Sequence, residues 1–331
     1  MGKESRKKAS QPPKPVLTNK GGQDAPSPVV DRRALEKTMS DLRRVLAGQD
    51  FADIDEANRF IADLMTTTGG RIPAGGALTP LEEAQDLMYE AWDAKGVART
   101  RLARKALEMS PDCADAYVLL AEESARNVEE ARDLFAQGLA AGERGLGPEF
   151  FEEEAGHFWG ILETRPYMRA REGLAERLWR LGEREAAIEH YREMLRLNPN
   201  DNQGVRYVLL DCLLGMGRND EAGELLSRYE DDGSAEWLYN HALWLFRREG
   251  GSPNAARSIK EALAENKHVP AYLLGRKRIP SRLPDTLAFG GEDEAVDYVI
   301  HALTNWMSTS GALTWLAAEV PAIGKRRGQA G

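Results

Sequence analysis

The chain has 331 residues, of which 42% are hydrophobic and 29% are charged, as is typical of a soluble protein rich in amphipathic helices. No apolar run approaches the roughly 20 residues that a membrane-spanning helix needs, so we expect no membrane span. The net charge of −9 disfavours nucleic acid as the main ligand, because an acidic surface repels a phosphate backbone. The basic start lacks the apolar stretch of a secretory signal, so we expect a cytoplasmic location.

Residues 1–30 form a basic, proline-containing tail that we expect to be disordered, because it has almost nothing apolar to bury. Residues 1–20 carry six basic side chains and one acidic side chain, Glu4. The rest of the chain is therefore more acidic than the net charge alone indicates. Such a tail could tether the chain to an anionic surface, which is one alternative function. Residues 320–331 are predicted to be a second disordered tail.

Residues 31–78 are predicted to form a helical segment that ends in a linker. The spacing of apolar residues predicts helices over Arg32–Ala47 and Ile54–Met65, with Asp53 as the N-cap of the second. The apolar face of the first helix comprises Leu35, Met39, Leu42, Val45 and Leu46. Glycine and proline are dense in residues 66–76, which predicts a linker there.

Residues 79–266 contain a repeated pattern of two helices. The hairpins are predicted at Pro80–Met109, Ala114–Ala141, Arg169–Tyr229 (two copies) and, in degenerate form, Ser234–Glu265. Within the two clear copies, each of four repeat positions recurs after 35 residues: Leu174 and Leu209, Gly182 and Gly217, Ala187 and Ala222, Tyr191 and Leu226. This period is close to the 34 residues of tetratricopeptide repeats.

Two helices alone cannot bury their apolar faces, so the hairpins must stack. We therefore predict an all-α fold, a right-handed α-solenoid of tetratricopeptide-like helical hairpins with helical flanks. Extra residues interrupt the period before the two clear copies, and Pro148–Thr164 is predicted to be one inserted helix. Residues 267–319 are predicted to be a C-terminal helical cap with helices at Glu292–Met307 and Gly311–Ala318, because a terminal unit must present a solvated face.

Three segments have a more specific amino-acid sequence than the repeat pattern requires. They are AWDAKGVARTRLARKALEMSPDCADAYVLLAEESARNVEEARDLFAQGLAAGE (91–143), HVPAYLLGRKRIP (268–280) and GEDEAVDYVIHALTNWMSTSGALTWL (291–316). In this order they resemble the soluble, repeat-bearing region of the suppressor of tumorigenicity protein seven family. The resemblance implies a tetratricopeptide-like helical protein and offers no catalytic residues to carry over. It covers only the part between the membrane segments of eukaryotic members, so it implies no membrane location.

The first helix of each hairpin is expected to line the concave face of the solenoid, where a ligand would be held. Six side chains there or beside the insertion are candidates for gripping an extended peptide: Arg165, Tyr167, Arg169, Asn202, Arg206 and Tyr207. An alternative is structural. Asn198 and Asn202 would then cap helices, Arg165 and Arg169 would pair with Glu163 or Glu172, and the aromatic residues of the insertion would be core.

Motifs for other chemistry are missing from the sequence. No histidine or cysteine spacing is typical of a metal site, and no glycine-rich phosphate loop or nucleophile elbow is present, so we expect no cofactor and no metal. Cys113 and Cys212 are predicted to be buried thiols without a disulfide. We therefore predict a non-catalytic scaffold or adaptor that binds a protein or peptide in its concave groove. An enzymatic site at the 150–169 insertion is the alternative, favoured if a deep pocket there brings His157 against a carboxylate.

Overall fold

The computed structural model describes residues 32–73, 78–281 and 287–320, with side chains from residue 35 onward. Regular structure within these ranges is helical, and no strand occurs in them. The predicted tail of residues 1–30 lies outside the described residues, as does the tail beyond Val320.

The described residues form sixteen α-helices and two 3-10 turns. In chain order the helices are α1 (Arg32–Ala47), α2 (Ile54–Thr67), α3 (Pro80–Asp93), α4 (Val97–Met109), α5 (Ala114–Glu123), α6 (Val128–Leu146), α7 (Pro148–Glu153), α8 (Arg165–Leu181), α9 (Arg184–Leu197), α10 (Val205–Gly215), α11 (Asn219–Arg228), α12 (Ala235–Glu249), α13 (Pro253–Glu265), α14 (Val269–Leu273), α15 (Glu292–Ser308) and α16 (Ala312–Glu319). The 3-10 turns are Phe158–Gly160 and Leu162–Thr164.

Five helical pairs build the stack: α3 with α4, α5 with α6, α8 with α9, α10 with α11, and α12 with α13. The second helix of each of the first four pairs also packs on the first helix of the next pair. This is how a repeat solenoid buries surfaces that one hairpin leaves open. The predicted fold class is confirmed: the chain is a right-handed α-solenoid of tetratricopeptide-like hairpins with helical flanks.

Local chemistry accounts for where the helices begin and end. Asp53 caps α2, as predicted, by accepting a hydrogen bond from the backbone N–H of Glu56 at 2.8 Å. At the start of α3, Thr79 and Glu82 cap each other's backbone N–H groups, and Pro80 takes the first helical position. Helix α8 ends where Gly182 adopts a left-handed conformation with φ of 84°.

Small residues allow the helices of the stack to approach closely. Ala175 and Ala187 are fully buried, and the Tyr191 ring fills the space beside them. Cys113 and Cys212 are buried free thiols, as predicted. Burial raises the pKa of both thiols to about 12, so they are packing groups at neutral pH.

The insertion before α8 is not the single helix that the sequence predicted. Helix α7 ends at Glu153, and two 3-10 turns lead from there to α8. Gly156 has a φ of 98°, which breaks the helix, and the Thr164 hydroxyl donates to the carbonyl oxygen of Phe158 inside the turn. The rings of Phe151 and Tyr167 meet edge to face at 4.9 Å, in agreement with a core role for the aromatic residues.

Helix α1 has the predicted bounds, yet its predicted apolar face is covered only in part, because Leu42, Val45 and Leu46 are half-buried. Leu35 is 53% exposed and Met39 is 39% exposed, whereas Glu36 is only 3% exposed. The C-terminal region also holds one helix that was not predicted, α14. Helix α15 packs against α10 and α12, and this placement encloses the site described next.

Candidate functional site

A groove lies between α15 and the first helices of three pairs, α8, α10 and α12. We call it the central groove, and its volume is about 1070 Å³. Its lining includes the side chains of Glu176, Asp201, Asn202, Arg206, Tyr207, Asp211, Glu236, Phe289, Glu294 and Asp297. First helices line the inner side of a solenoid, and α15 supplies the opposite wall.

The central groove is acidic. Six carboxylates line it against two guanidinium groups, those of Arg184 and Arg206. Most of the carboxylates have neighbours that donate to them. Glu294, for example, accepts from the side-chain amide of Asn266 at 2.9 Å, and Asp211 accepts from that of Asn240 at 3.0 Å.

Glu236 is a carboxyl group of the groove that the chain leaves unpaired. Within the described part of the chain it makes no hydrogen bond and no ion pair. The pKa of Glu236 is raised to about 8, chiefly by burial and then by the negative charges of Asp211, Asp297 and Asp232, with a smaller lowering by Arg206. The pKa of Asp211 is raised to about 6, again chiefly by burial. Glu236 therefore stays largely protonated at neutral pH, and a cation placed beside it would favour its ionised form.

The three predicted residues Asn202, Arg206 and Tyr207 all line this groove. Arg206 donates through Nη1 to Asp201 at 2.9 Å and through Nε to Asp232 at 2.8 Å. The Tyr207 hydroxyl donates to Asp232 at 2.8 Å and accepts from Arg206 Nη2 at 2.7 Å. Arg206 and Tyr207 are thus held in one orientation, with their charge and hydroxyl already paired.

The residue that caps the N-terminus of α10 is not the one that the structural alternative predicted. Asp201, rather than Asn202, accepts from the backbone N–H groups of Val205 and Arg206, at 2.7 and 2.9 Å. Asn202 is exposed at the groove edge. Asn198 stands at the C-terminal end of α9 and caps no N-terminus.

The other three predicted residues lie outside the central groove, so the six do not form one site. Tyr167 is 1% exposed within the aromatic cluster and accepts a hydrogen bond from Arg171. Arg169 donates to Asp115 at 2.8 and 2.6 Å, and both Arg169 and Arg165 donate to Glu36. The partners expected from the sequence, Glu163 and Glu172, are not the ones found.

Sequence reasoning missed three carboxylates that the structure shows to be important. Asp115 follows Ala114 and precedes the apolar run of α5, so a lone acid beside apolar residues was an available signal. Glu236 stands in a similar position at the start of α12. Glu36 is flanked by charged residues as well as by leucine, and nothing in the local sequence marks it for burial.

The sequence model of the ST7 protein family matches residues 79–321. The chain belongs to this family. It is 30% identical over 259 residues to the suppressor of tumorigenicity 7 protein-like of Homo sapiens, an alignment that covers 71% of this chain and 45% of that protein. The same protein of Danio rerio is 30% identical over 267 residues, which cover 73% of this chain and 45% of the relative. The chain thus spans about half the length of the curated relatives it matches.

Among solved structures, one similar chain is described as "Crystal structure of YrrB: a TPR protein with an unusual peptide-binding site". It is 20% identical, with a TM-score of 0.39, and the superposition covers 62% of this chain and 91% of that one. A likeness at this level adds nothing to the fold described above. In residues 32–73, 78–281 and 287–320, no helix combines the length and the apolar character that a membrane crossing requires.

The 150–169 insertion lies beside a second cavity of about 240 Å³, which Phe150, Leu162 and Pro166 help to line. His157 is exposed and is not part of this lining. Across the described ranges, no group of three or more histidine, cysteine or acidic side chains is arranged to hold a metal ion.

Proposed function

We propose that this chain is a non-catalytic scaffold or adaptor that binds a basic segment of a protein partner in the central groove. The observation that carries the proposal is Glu236, a carboxylate without a partner in the wall of an acidic groove of about 1070 Å³. Helical solenoids offer concave surfaces of this kind to other chains.

The shape of the groove suits an extended peptide. Two walls of helices face each other, and the groove edge carries exposed apolar side chains, those of Val208, Leu287 and Phe289. Phe289 is 87% exposed. Lysine and arginine have aliphatic stems that cover apolar surface while their charged ends reach polar groups. A basic segment can therefore use both the apolar edge and the acidic floor.

Charge favours the same class of ligand. Glu236, Asp211 and Asp297 come from three different helices, and after burial the negative charges of Asp211 and Asp297 contribute most to the raised pKa of Glu236. An ammonium or guanidinium group placed among them would relieve the repulsion among these groups. An acidic segment would increase it. Selectivity for basic over acidic segments follows from this difference.

The test uses the whole chain and fluorescently labelled peptides of one length that carry lysine and arginine, glutamate, or only neutral side chains. We expect the basic peptide to bind. The double variant Glu236→Gln with Asp297→Asn should weaken that binding by about tenfold or more, as for paired charges at an interface. Glu189→Gln with Asp220→Asn is the matched control, because it removes two exposed carboxylates outside the groove.

Two outcomes would contradict the proposal. One is equal binding of the acidic and the basic peptide. The other is a groove variant that binds the basic peptide as tightly as the control variant does.

The two alternatives gain no support from the described residues. The enzymatic alternative requires a pocket at the insertion that brings His157 against a carboxylate. His157 is exposed instead. A tether through the basic tail concerns residues outside the described ranges. The cytoplasmic location stays a prediction.

A further inference from the structure

Helix α1 lies across the first helices of the N-terminal pairs, at a surface separate from the central groove. It packs against α3 and against the 3-10 turn Leu162–Thr164. Its Glu36 pairs with Arg165 and Arg169 of α8. On the same helix, Arg44 and Lys37 approach Asp86 of α3 at 3.2 and 3.8 Å. The chain thus already places one of its own helices on the inner side of the solenoid.

The most deeply buried contact of α1 is an ion pair, whereas its apolar residues Leu42, Val45 and Leu46 are only half-buried. Among its described side chains the one that is buried is Glu36, and no α1 side chain belongs to the apolar core clusters of the described residues. Leu35 and Met39 face solvent. The cavity of about 240 Å³ lies between α1 and the body, with Arg43, Arg44 and Tyr89 in its lining. A helix bound this way can leave without opening the core.

The surface beneath α1 can bind a carboxylate, because its two arginine side chains are already held in position. Arg169 is fixed by two hydrogen bonds to the fully buried Asp115, and its guanidinium lies 5.3 Å from the centre of the Trp92 ring. Its free nitrogen, Nη1, donates to Glu36 at 3.1 and 3.0 Å. Arg165 is held by the Trp159 carbonyl oxygen at 3.2 Å and donates to the same Glu36 at 3.2 Å.

Without Glu36, two guanidinium groups would face one carboxylate, that of Asp115. Both arginines would keep their orientation, because Asp115 and the Trp159 carbonyl remain. An uncompensated charge in a buried place is costly, so this site requires an anion. Asp86 would likewise lose the positive charge of Arg44 when α1 leaves. A ligand at this surface therefore also needs a basic group beside Asp86. The separation of Glu36 and Arg44 is eight residues, or about 12 Å along a helix.

We propose that α1 is a built-in ligand that covers a protein-binding site, and that a helix of a partner protein displaces it. The partner helix carries an acidic side chain for Arg165 and Arg169 and a basic side chain about two turns later for Asp86. This proposal does not depend on the central groove being a binding site. It involves a different surface and the opposite charge at its centre.

The test uses the full chain with Glu36→Gln, which removes the charge and keeps the shape. The probe is a labelled peptide with the α1 sequence RRALEKTMSDLRRVLA. We expect hydrogen exchange of the α1 amides to rise by about tenfold or more, with α8 to α13 unchanged. The peptide should bind the variant about tenfold or more tightly than it binds the unchanged chain, because its competitor is weakened. Glu83→Gln, at an exposed carboxylate of α3, is the matched control.

Two further reagents keep the interpretation clear. A peptide in which the glutamate is replaced by glutamine should fail to bind the Glu36→Gln chain. The variant Lys37→Ala with Arg44→Ala weakens α1 without changing the body, so it should give the same rise in exchange even if Glu36→Gln were poorly folded.

Unchanged exchange of α1 in both variants would overturn the proposal. So would equal binding of the glutamate and glutamine peptides. A concentration-dependent dimer of the variant that does not bind the peptide would assign the site to α1 of a second copy, and would also overturn it.

Discussion

Arg169 and Asp115 form a two-point ion pair that joins the third helical pair to the second across 54 positions of the chain, with N–O distances of 2.8 and 2.6 Å. Asp115 is fully buried. Burial alone would lower the pKa of Arg169, but the charges and hydrogen bonds of Asp115 and Glu36 outweigh that effect and raise it. Arg169 therefore keeps its positive charge at ordinary pH values.

The first prediction concerns this pair. Arg169→Met should lower the free energy of unfolding by about 3 to 5 kcal/mol, because it leaves Asp115 buried without a counter-charge. Urea unfolding of the whole chain, followed by circular dichroism, measures the change. Arg126→Met is the control and should have little effect, since Arg126 forms its ion pair on the surface. A loss in Arg169→Met no larger than in the control would contradict the prediction.

A second prediction concerns the contact between α6 and α8. A Cβ atom on Gly173 would lie 2.1 Å from Cε1 of the buried Phe135 ring. Gly173→Ala should therefore destabilise the chain by about 1 to 3 kcal/mol, although alanine is the better helix former. Gly160→Ala is the control, since no atom lies within 4 Å of the added carbon there. Thermal unfolding distinguishes the two variants, and a Gly173→Ala chain as stable as the unchanged one would rule out the close contact.

A third prediction follows from the raised pKa of Glu236. The folded chain keeps this proton up to a pH of about 8, whereas the unfolded chain releases it near the ordinary value of 4.5. The free energy of unfolding therefore falls as the pH rises from 4.5 to about 8. Glu236→Gln does not titrate, so at pH 9 it should be more stable than the unchanged chain by about 1 to 3 kcal/mol.

At pH 5 the two chains should differ much less, because Glu236 is then neutral in the folded chain. Urea unfolding at both pH values makes the comparison. Glu189→Gln, at an exposed carboxylate, controls for the general loss of negative charge. An equal difference between Glu236→Gln and the unchanged chain at both pH values would contradict the assignment.

A fourth prediction concerns the pH dependence of binding in the central groove. Glu236 faces Asp211 and Arg206 of α10, Asp297 of α15, and Asp232 of the turn before α12. A bound cation favours the ionised carboxylate, so binding of a basic peptide should tighten by about tenfold between pH 6 and 9. Calorimetry in buffers of different ionisation enthalpy should show proton release at pH 7. In Glu236→Gln the profile should flatten, and affinity that falls with rising pH would contradict the prediction.

The sequence was sufficient for the paired helices of the stack and their order, though not for α14. The pairs from α3 to α13 begin and end close to the predicted positions, because capping groups, glycine turns and apolar spacing act within a few residues along the chain. The same local reasoning failed at Pro148–Thr164. There, the hydrogen bonds of Thr164 and the packing of aromatic rings from α7 and α8 replaced a continuous helix with 3-10 turns.

The site could be predicted only in part. Asn202, Arg206 and Tyr207 were found because the repeat assigns first helices to the inner side of the solenoid, and they line the central groove. The acidity of that groove was not found, because the high pKa of Glu236 comes first from burial and then from the negative charges of Asp211 and Asp297, which only the packing of the helices brings beside it.

By itself, the sequence determined which segments are helical and that they pair and stack, since these properties depend on local spacing. Only the tertiary structure decided which charges meet. Glu36 and Arg169 are 133 positions apart, and their pairing depends on where α1 comes to lie. Electrostatic interactions depend on distance in space and have no period along the chain, so no repeat pattern could reveal them.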